Sequence, residues 1–195
     1  EEKFYPYLDK DGDAIPSRTL PGVHPKAAYF TRGSGHTQYG AYTEDSADYQ
    51  IVLDRLLKKW ETAKKYMPRA VIDATAGGDV GIVSLGSCDG AIHEAIDVLR
   101  AQGVYVNYMR VRSFPFTEDV ERFLAAHKVL FVVEQNRDAQ FRALLTLETQ
   151  VEKSKLRSLL HYSGLPISST FIVEGVLAEV RPRPKQQSLR AVSGS

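Results

Sequence analysis

The sequence predicts an α/β fold, with three αβα layers around a mixed, mostly parallel sheet of about five strands, one of them antiparallel. Three observations carry this. From residue 69 onward, short β-branched runs alternate with amphipathic helical stretches. The central runs are apolar throughout, as strands covered on both faces require. One connection, the glycine turn "TAGGD" at 75–79, is too short for a parallel crossover.

Each element has its own local reason. "RAVIDA" (69–74) is a short β-branched run, and the turn after it makes it the antiparallel strand at or near an edge. "VGIVSLG" (80–86) is a buried strand, followed by a helix over 89–102. Ile92, Ala95, Ile96 and Leu99 form that helix's apolar stripe, and Gly103 supplies its C-terminal cap. "VYVNYMRV" (104–111) is the next strand. Thr117 opens a short helix with Glu118 and Asp119 in its first turn, where the helix dipole favours acids. "VLFVVE" (129–134) is a third buried strand, with a helix from about Arg137 to Gln150 behind it. "LRSLLHY" (156–162) reads as a further parallel strand, and a last helix runs from near Ser168 to about Val180.

Ahead of these lies a helix that Asp45 or Ser46 caps and Pro68 ends, with Tyr49, Leu53, Leu56, Leu57, Trp60, Ala63 and Met67 at helical spacing. Its Arg55, Lys58, Lys59, Lys64 and Lys65 read as a solvated face. Residues 1–44 are an irregular arm rich in proline, glycine and aromatic residues. So many rings do not suit a flexible linker, so the arm is expected to pack on the core or on a domain or subunit absent from this chain. Residues 181–195 form a polar tail. The expected division is therefore 1–44, 45–180 and 181–195.

Composition narrows the function. With 43% hydrophobic residues, a chain of 195 can bury a full core. Its 25 basic and 24 acidic residues leave almost no net field, which argues against nucleic acid or an anionic membrane as the main partner. No apolar run approaches the ~20 residues of a membrane span, and no secretory signal is visible. A single cysteine fits a reducing, cytoplasmic setting. Glu1 in place of an initiating Met suggests a fragment or a processed chain.

Ligands of open α/β sheets lie at the carboxyl ends of the strands. Gly86-Ser87-Cys88-Asp89-Gly90 stands at one such end and has the spacing of a cysteine nucleophile elbow. A thiol nucleophile needs an imidazole base oriented by a carboxylate. His93 points sideways and His127 lies away from the carboxyl edge, while His161 could reach that edge but has no carboxylate near it in sequence. The stretch lacks the lysine and glycine spacing of a phosphate loop, and Asp89 would oppose an anion. The ordinary reading is a structural turn in which Gly86 and Gly90 let helix and strand pack tightly. "RGSGHTQYG" (32–40) is an exposed polar loop in which Arg32 could clamp an anion and His36 could carry a proton. Arg112 follows one strand, and Gln135, Asn136 and Arg137 follow another. These six residues, Arg32, His36, Arg112, Gln135, Asn136 and Arg137, are the candidates for facing a small-molecule ligand or a partner. No His/Cys/Asp/Glu set has convincing metal spacing.

Four segments in order, "YFTRGSGHTQYGAYTED", "DVGIVSLGSCDGAIHEAIDVLRAQGVYV", "MRVRSFPF" and "VLFVVEQNRDAQ", resemble the alpha subunit of 2-oxoacid:ferredoxin oxidoreductases, the 2-oxoglutarate type most of all. The likeness covers roughly residues 4–178 and falls in the carboxy-terminal third of that subunit. The sheet region is more distantly similar to the transketolase C-terminal domain. The resemblance implies oxidative decarboxylation of a 2-oxoacid to an acyl-CoA. Thiamine diphosphate, Mg and iron–sulfur clusters serve the complete enzyme, coenzyme A is its co-substrate and ferredoxin its electron acceptor. It implies a beta subunit, an upstream alpha domain and a dimer-forming surface as partners. It assigns this segment a structural and assembly role, without catalytic residues, bound cofactor or activity of its own. Two other readings stand beside it: a cysteine amidotransferase or hydrolase centred on Cys88, and a non-enzymatic interaction domain using the arm and the Lys-rich helix.

Overall fold

The computed structural model describes residues 4–29 and 33–180, so Arg32 and the 181–195 tail lie outside the described residues. The chain divides between Met67 and Pro68 into two compact units.

In the first unit, helix α1 spans Ser46–Ala63, and the Asp45 carboxylate accepts the Ala47 and Asp48 N–H groups at its start. The division expected after residue 44 is displaced because α1 is tied to the arm. Arg55 Nη1 donates to Ala14 O at 3.0 Å and Thr62 Oγ1 to Asp13 O at 2.6 Å. The arm's rings pair with one another: Phe4 with Tyr29, Tyr5 with Tyr39, and Tyr7 stacked on His36 at 4.0 Å. Its helical spacing does not make α1 a core helix, for only Val52 is buried, whereas Tyr49, Leu53, Leu56, Leu57 and Trp60 are exposed.

The second unit is the sheet. Strands β1 (Val71–Asp73), β2 (Val80–Leu85), β3 (Asn107–Val111), β4 (Val129–Glu134) and β5 (Leu156–Leu160) lie in the order β1-β3-β2-β4-β5. β1 runs antiparallel to β3 at the edge, as its short connection requires, and the other pairings are parallel. Helices α2 (Asp89–Ala101) and α5 (Ser169–Leu177) share one core with one face of the sheet, through Ile92, Leu99, Ile172 and Val176 on Ile82 and Phe131. Helices α3 (Glu118–Ala126) and α4 (Gln140–Glu148) cover the other face, through Val120, Phe123 and Leu145 on Val83, Leu130 and Val132. The fold is the three-layer α/β class that the alternation of elements predicts.

Gly103 (φ 81°) closes α2, with its own N–H on Arg100 O and the Val104 N–H on Leu99 O, so β3 starts at Asn107 rather than 104. Buried His127 ends α3. Its Nδ1 meets Phe123 O at 2.7 Å, and its Nε2 meets Asn107 Nδ2 at 2.9 Å. This makes Nδ1 the protonated nitrogen and Nε2 the acceptor.

The glycines that permit close packing differ from those expected. A Cβ on Gly81 would lie 3.0 Å from both Leu130 and Phe123, which are themselves buried. A Cβ on Gly86 or Gly90 would meet nothing within 4 Å, so tight strand–helix packing through this pair is not what the structure uses. Gly86 is needed for its left-handed φ of 66°. Gly81→Ala should destabilise by about 1–3 kcal/mol through overpacking. Gly90→Ala should be neutral or stabilise by up to about 1 kcal/mol from helix propensity. Urea unfolding of the two variants checks both signs.

Asp119, in the first turn of α3, holds the chain entering β1 by accepting the Ala70 N–H at 2.8 Å. Burial alone would raise its carboxyl pKa. The Thr117 hydroxyl, the N–H groups of Asp119 and Ala70 and the charge of Arg69 outweigh burial and hold it below the ordinary carboxylate value. A depressed carboxylate stabilises fully above its unfolded pKa of about 3.9, and the contribution is lost as pH falls through the folded value. Asp119→Ala should therefore cost about 1–3 kcal/mol near pH 7. Its unfolding midpoint should fall less than wild type's between pH 5 and pH 2, and a parallel acid dependence in the two proteins would count against this role.

Candidate functional site

Chain order reverses around β2: β3 lies on one side of it and β4 on the other. In open α/β sheets the crevice at such a switch point is where ligands bind. Here the carboxyl ends of β2 and β4 lead into Ser87 and Gln135, and β5 leads into His161. A cleft of about 600 Å³ opens at this place, lined by Ser87, Ala91, Gln135, His161, Tyr162 and the 164–167 loop.

The residues at its floor are tied together. Gln135 Nε2 donates to Ser87 Oγ at 2.9 Å and, more weakly, to Cys88 Sγ at 3.8 Å. Leu165 N–H reaches Ser163 Oγ at 3.3 Å, and Ser163 Oγ lies 3.2 Å from His161 Nε2. The His161 ring stands edge-on to Phe171.

The two carboxylates beside the cleft are spent on structure. Glu134 is buried, and its carboxylate accepts the N–H groups of Phe141 (2.8 Å) and Arg142 (3.2 Å) at the start of α4, and the Asn136 amide. Asn136 Oδ1 in turn accepts the Asp138 and Gln140 N–H groups. This delays α4 to Gln140 rather than Arg137. Asp89 accepts from Tyr108 Oη at 2.8 Å and Arg110 Nη1 at 3.2 Å, and His93 Nε2 lies 3.7 Å away. Tyr108 Oη also meets Ser84 Oγ at 2.8 Å, and burial, with Asp89 beside it, pushes the phenol well above its ordinary pKa.

Cys88 is buried, and the loss of solvation raises its thiol pKa. The Gln135 hydrogen bond opposes the rise and the Glu134 charge adds to it. Its one side-chain hydrogen bond comes from an amide rather than an imidazole. A reactive thiolate requires the opposite environment, so the cysteine-nucleophile reading does not fit.

Arg32 lies outside the described residues, and of the other five singled out in the sequence the cleft gathers Gln135 alone. Asn136 works as a cap. Arg137 is exposed and pairs with its neighbour Asp138 at 2.7 Å. Arg112 is exposed at the end of β3. His36 belongs to the other unit, where Nδ1 meets Thr37 O at 2.9 Å beneath the Tyr7 ring. Sequence reasoning passed over Ser87, Tyr162 and Leu165. It weighed His161 only as a base for Cys88. Their signal was position, in the turns that follow β2 and β5 at the carboxyl edge of the sheet.

Several polar groups near the strand ends are already engaged within the fold. The α4 amides already serve Glu134, the Arg110 guanidinium serves Asp89, and the Ser168 hydroxyl accepts the Phe171 N–H at the start of α5. In the first unit, carboxylate oxygens of Asp9, Asp11 and Asp13 lie within 4.8 Å of one another, a grouping that alternate acids in "DKDGD" signalled. They accept N–H groups of their own loop: Gly12 and Ala14 on Asp9, Asp13 on Asp11, and Ile15 on Asp13.

Residues 78–164 match the family model of pyruvate:ferredoxin oxidoreductase core domain II. The alpha subunit of 2-oxoacid:ferredoxin oxidoreductase 2 from Aeropyrum pernix is 29% identical over 82% of this chain and 26% of its own length. The corresponding alpha subunit from Saccharolobus solfataricus is 29% identical over 84% of this chain and 27% of its own length. The chain resembles one segment of the alpha subunits of 2-oxoacid:ferredoxin oxidoreductases. It spans about a quarter of the length of these relatives. A solved structure of 2-oxoglutarate:ferredoxin oxidoreductase from Magnetococcus marinus, with 2-oxoglutarate, coenzyme A and succinyl-CoA bound, superposes with a TM-score of 0.75 and 26% identity. The match covers 90% of this chain and 30% of that one.

Cys88 should react with a maleimide at least about 100-fold more slowly in the native chain than in urea, because the buried thiol is neither ionised nor reachable. Labelling at equal rates in the two states would contradict the assignment of Cys88 as a structural thiol.

Proposed function

We propose that this chain is a supporting part of a 2-oxoacid:ferredoxin oxidoreductase alpha subunit, acting on 2-oxoglutarate. The complete enzyme would decarboxylate the oxoacid to an acyl-CoA and pass the electrons to ferredoxin. It would use thiamine diphosphate, Mg and iron–sulfur clusters held outside this segment. One observation carries this reading: the relatives align with 82–84% of the chain, more than either unit alone supplies, so arm and sheet travel together as one block of a longer subunit. The assignment of 2-oxoglutarate draws on the Magnetococcus marinus enzyme, whose structure holds that acid.

The segment's own role in this reading is architectural. Its Glu134 and Asp89 carboxylates brace helices and its thiol is shielded, so these polar groups stabilise the fold instead of reacting. It would contact the rest of the alpha subunit and a beta subunit, contribute to a dimer surface, and work in the cytoplasm.

The test compares the segment with the complete enzyme. The purified chain should give no 2-oxoacid-dependent reduction of a viologen dye. The full alpha subunit with its beta subunit should reduce the dye with 2-oxoglutarate and coenzyme A, at least about 10-fold faster than with pyruvate. Turnover by the chain alone, or a preference for pyruvate, would overturn the corresponding half of the proposal.

A further inference from the structure

The switch-point cleft has a composition that the architectural role does not require. Among the described residues no Lys, Arg, Asp or Glu lines it, and it combines hydrogen-bonding groups with an apolar wall of Ala91, Leu165, Pro166 and Ile167. Tyr162 and Leu165 stand exposed beside it, at 64% and 72% of their full surface. A volume of about 600 Å³ suits a ligand the size of a nucleoside.

The floor has a defined hydrogen-bonding pattern. Both hydrogens of the Gln135 amide are directed at Ser87 and Cys88, which leaves Oε1 as an acceptor. Ser87 Oγ accepts from that amide, so its own proton is available to donate. The 2.9 Å bond between the two residues therefore holds one acceptor and one donor side by side. Ser163 Oγ accepts the Leu165 N–H and lies 3.2 Å from His161 Nε2.

We propose that this cleft binds the base of an adenine-containing ligand. The edge of adenine offers an N6–H donor next to an N1 acceptor, the complement of Gln135 Oε1 beside the Ser87 hydroxyl. The Tyr162 ring supplies a stacking face, and the 164–167 loop covers the base edge away from the sheet. An uncharged lining recognises the base and leaves phosphates in solvent. The switch-point position provides the crevice. The inference stands apart from the oxidoreductase reading and fails or survives independently of it.

Isothermal titration calorimetry on the full chain tests it with adenosine, inosine, AMP and coenzyme A. Adenosine should bind saturably. Inosine, which presents an acceptor and a donor in the reverse order, should bind at least about 10-fold more weakly because it leaves both groups unpaired. AMP should bind within about 3-fold of adenosine, since no Lys or Arg among the described residues lines the cleft. Tyr162→Ala should weaken adenosine by about 10-fold through lost stacking, with unchanged thermal unfolding because the side chain is exposed. Coenzyme A competing with adenosine would assign the base to that cofactor, and failure to compete would assign it to a free nucleoside or nucleotide. Either result supports the site. No saturable adenosine binding at millimolar concentration, equal affinity for inosine, or indifference to Tyr162→Ala would overturn it.

Discussion

The arrangement depends on β2 being bonded on both sides. Ile82, Val83 and Ser84 are fully buried, so their backbone groups have no water to turn to and need a strand on each flank. β3 and β4 supply those flanks, pairing Val83 with Met109 on one side and with Val132 on the other. The chain leaves β2 through α2 to reach β3, then must pass back across β2 through α3 to reach β4. Parallel crossovers keep one hand, so α2 and α3 fall on opposite faces. The cleft is the geometrical remainder of that reversal, and the Gln135–Ser87 bond spans it.

The ends of the strands then impose a second demand. Each parallel strand runs into a turn whose polar groups face a partly dry edge, and unpaired ones there cost about 1–3 kcal/mol each. Glu134 and Asp89 meet this demand from within the domain. Glu134 takes the place of a side-chain cap for α4, whose preceding residue, Ala139, is left-handed and has none to give. Asp89 joins α2 to β3 through Tyr108 and Arg110. The acidic residues that look most chemical in the sequence are thereby taken up, and the cleft is left to an amide, a hydroxyl and an imidazole.

This pattern explains what the sequence made legible. Strands β2 and β4 are short, mostly apolar runs rich in β-branched residues and buried along most of their length, and that length with the turn residues beside them favours strands over helices. The antiparallel β1 followed from the length of one glycine turn. Helix starts were less visible where the cap is remote. Asp45 lies directly before α1 and was readable, whereas Glu134 caps α4 from six residues upstream of Gln140, across a turn built by Asn136. The α1 stripe had helical spacing without burial, because periodicity reports a face and not what covers it. Gly90 looked like a packing glycine beside Gly86, while side chains crowd Gly81, near the start of β2, and Gly175, in α5. Spacing does not reveal which side chains stand opposite. The cleft escaped notice for a related reason: Ser87, Gln135 and His161 are far apart in sequence and meet only because the strand order reverses.

Stability and recognition consequently draw on different residues in the sheet unit. The two core clusters lie on either side of the sheet and, apart from Ile167, contain none of the residues that line the cleft. The internal caps occupy charges that would otherwise set the cleft's field. Ser87, Tyr162 and Leu165 are exposed, so their side chains can change with little cost to the core. Gln135 and His161 are the points of contact between the two systems, one through the Cys88 thiol and the other through the Phe171 ring of the α5 segment. A supporting domain built this way can keep its fold constant while the cleft changes its ligand, because the reversal that creates the cleft is fixed by the burial of β2 and not by anything the cleft contains.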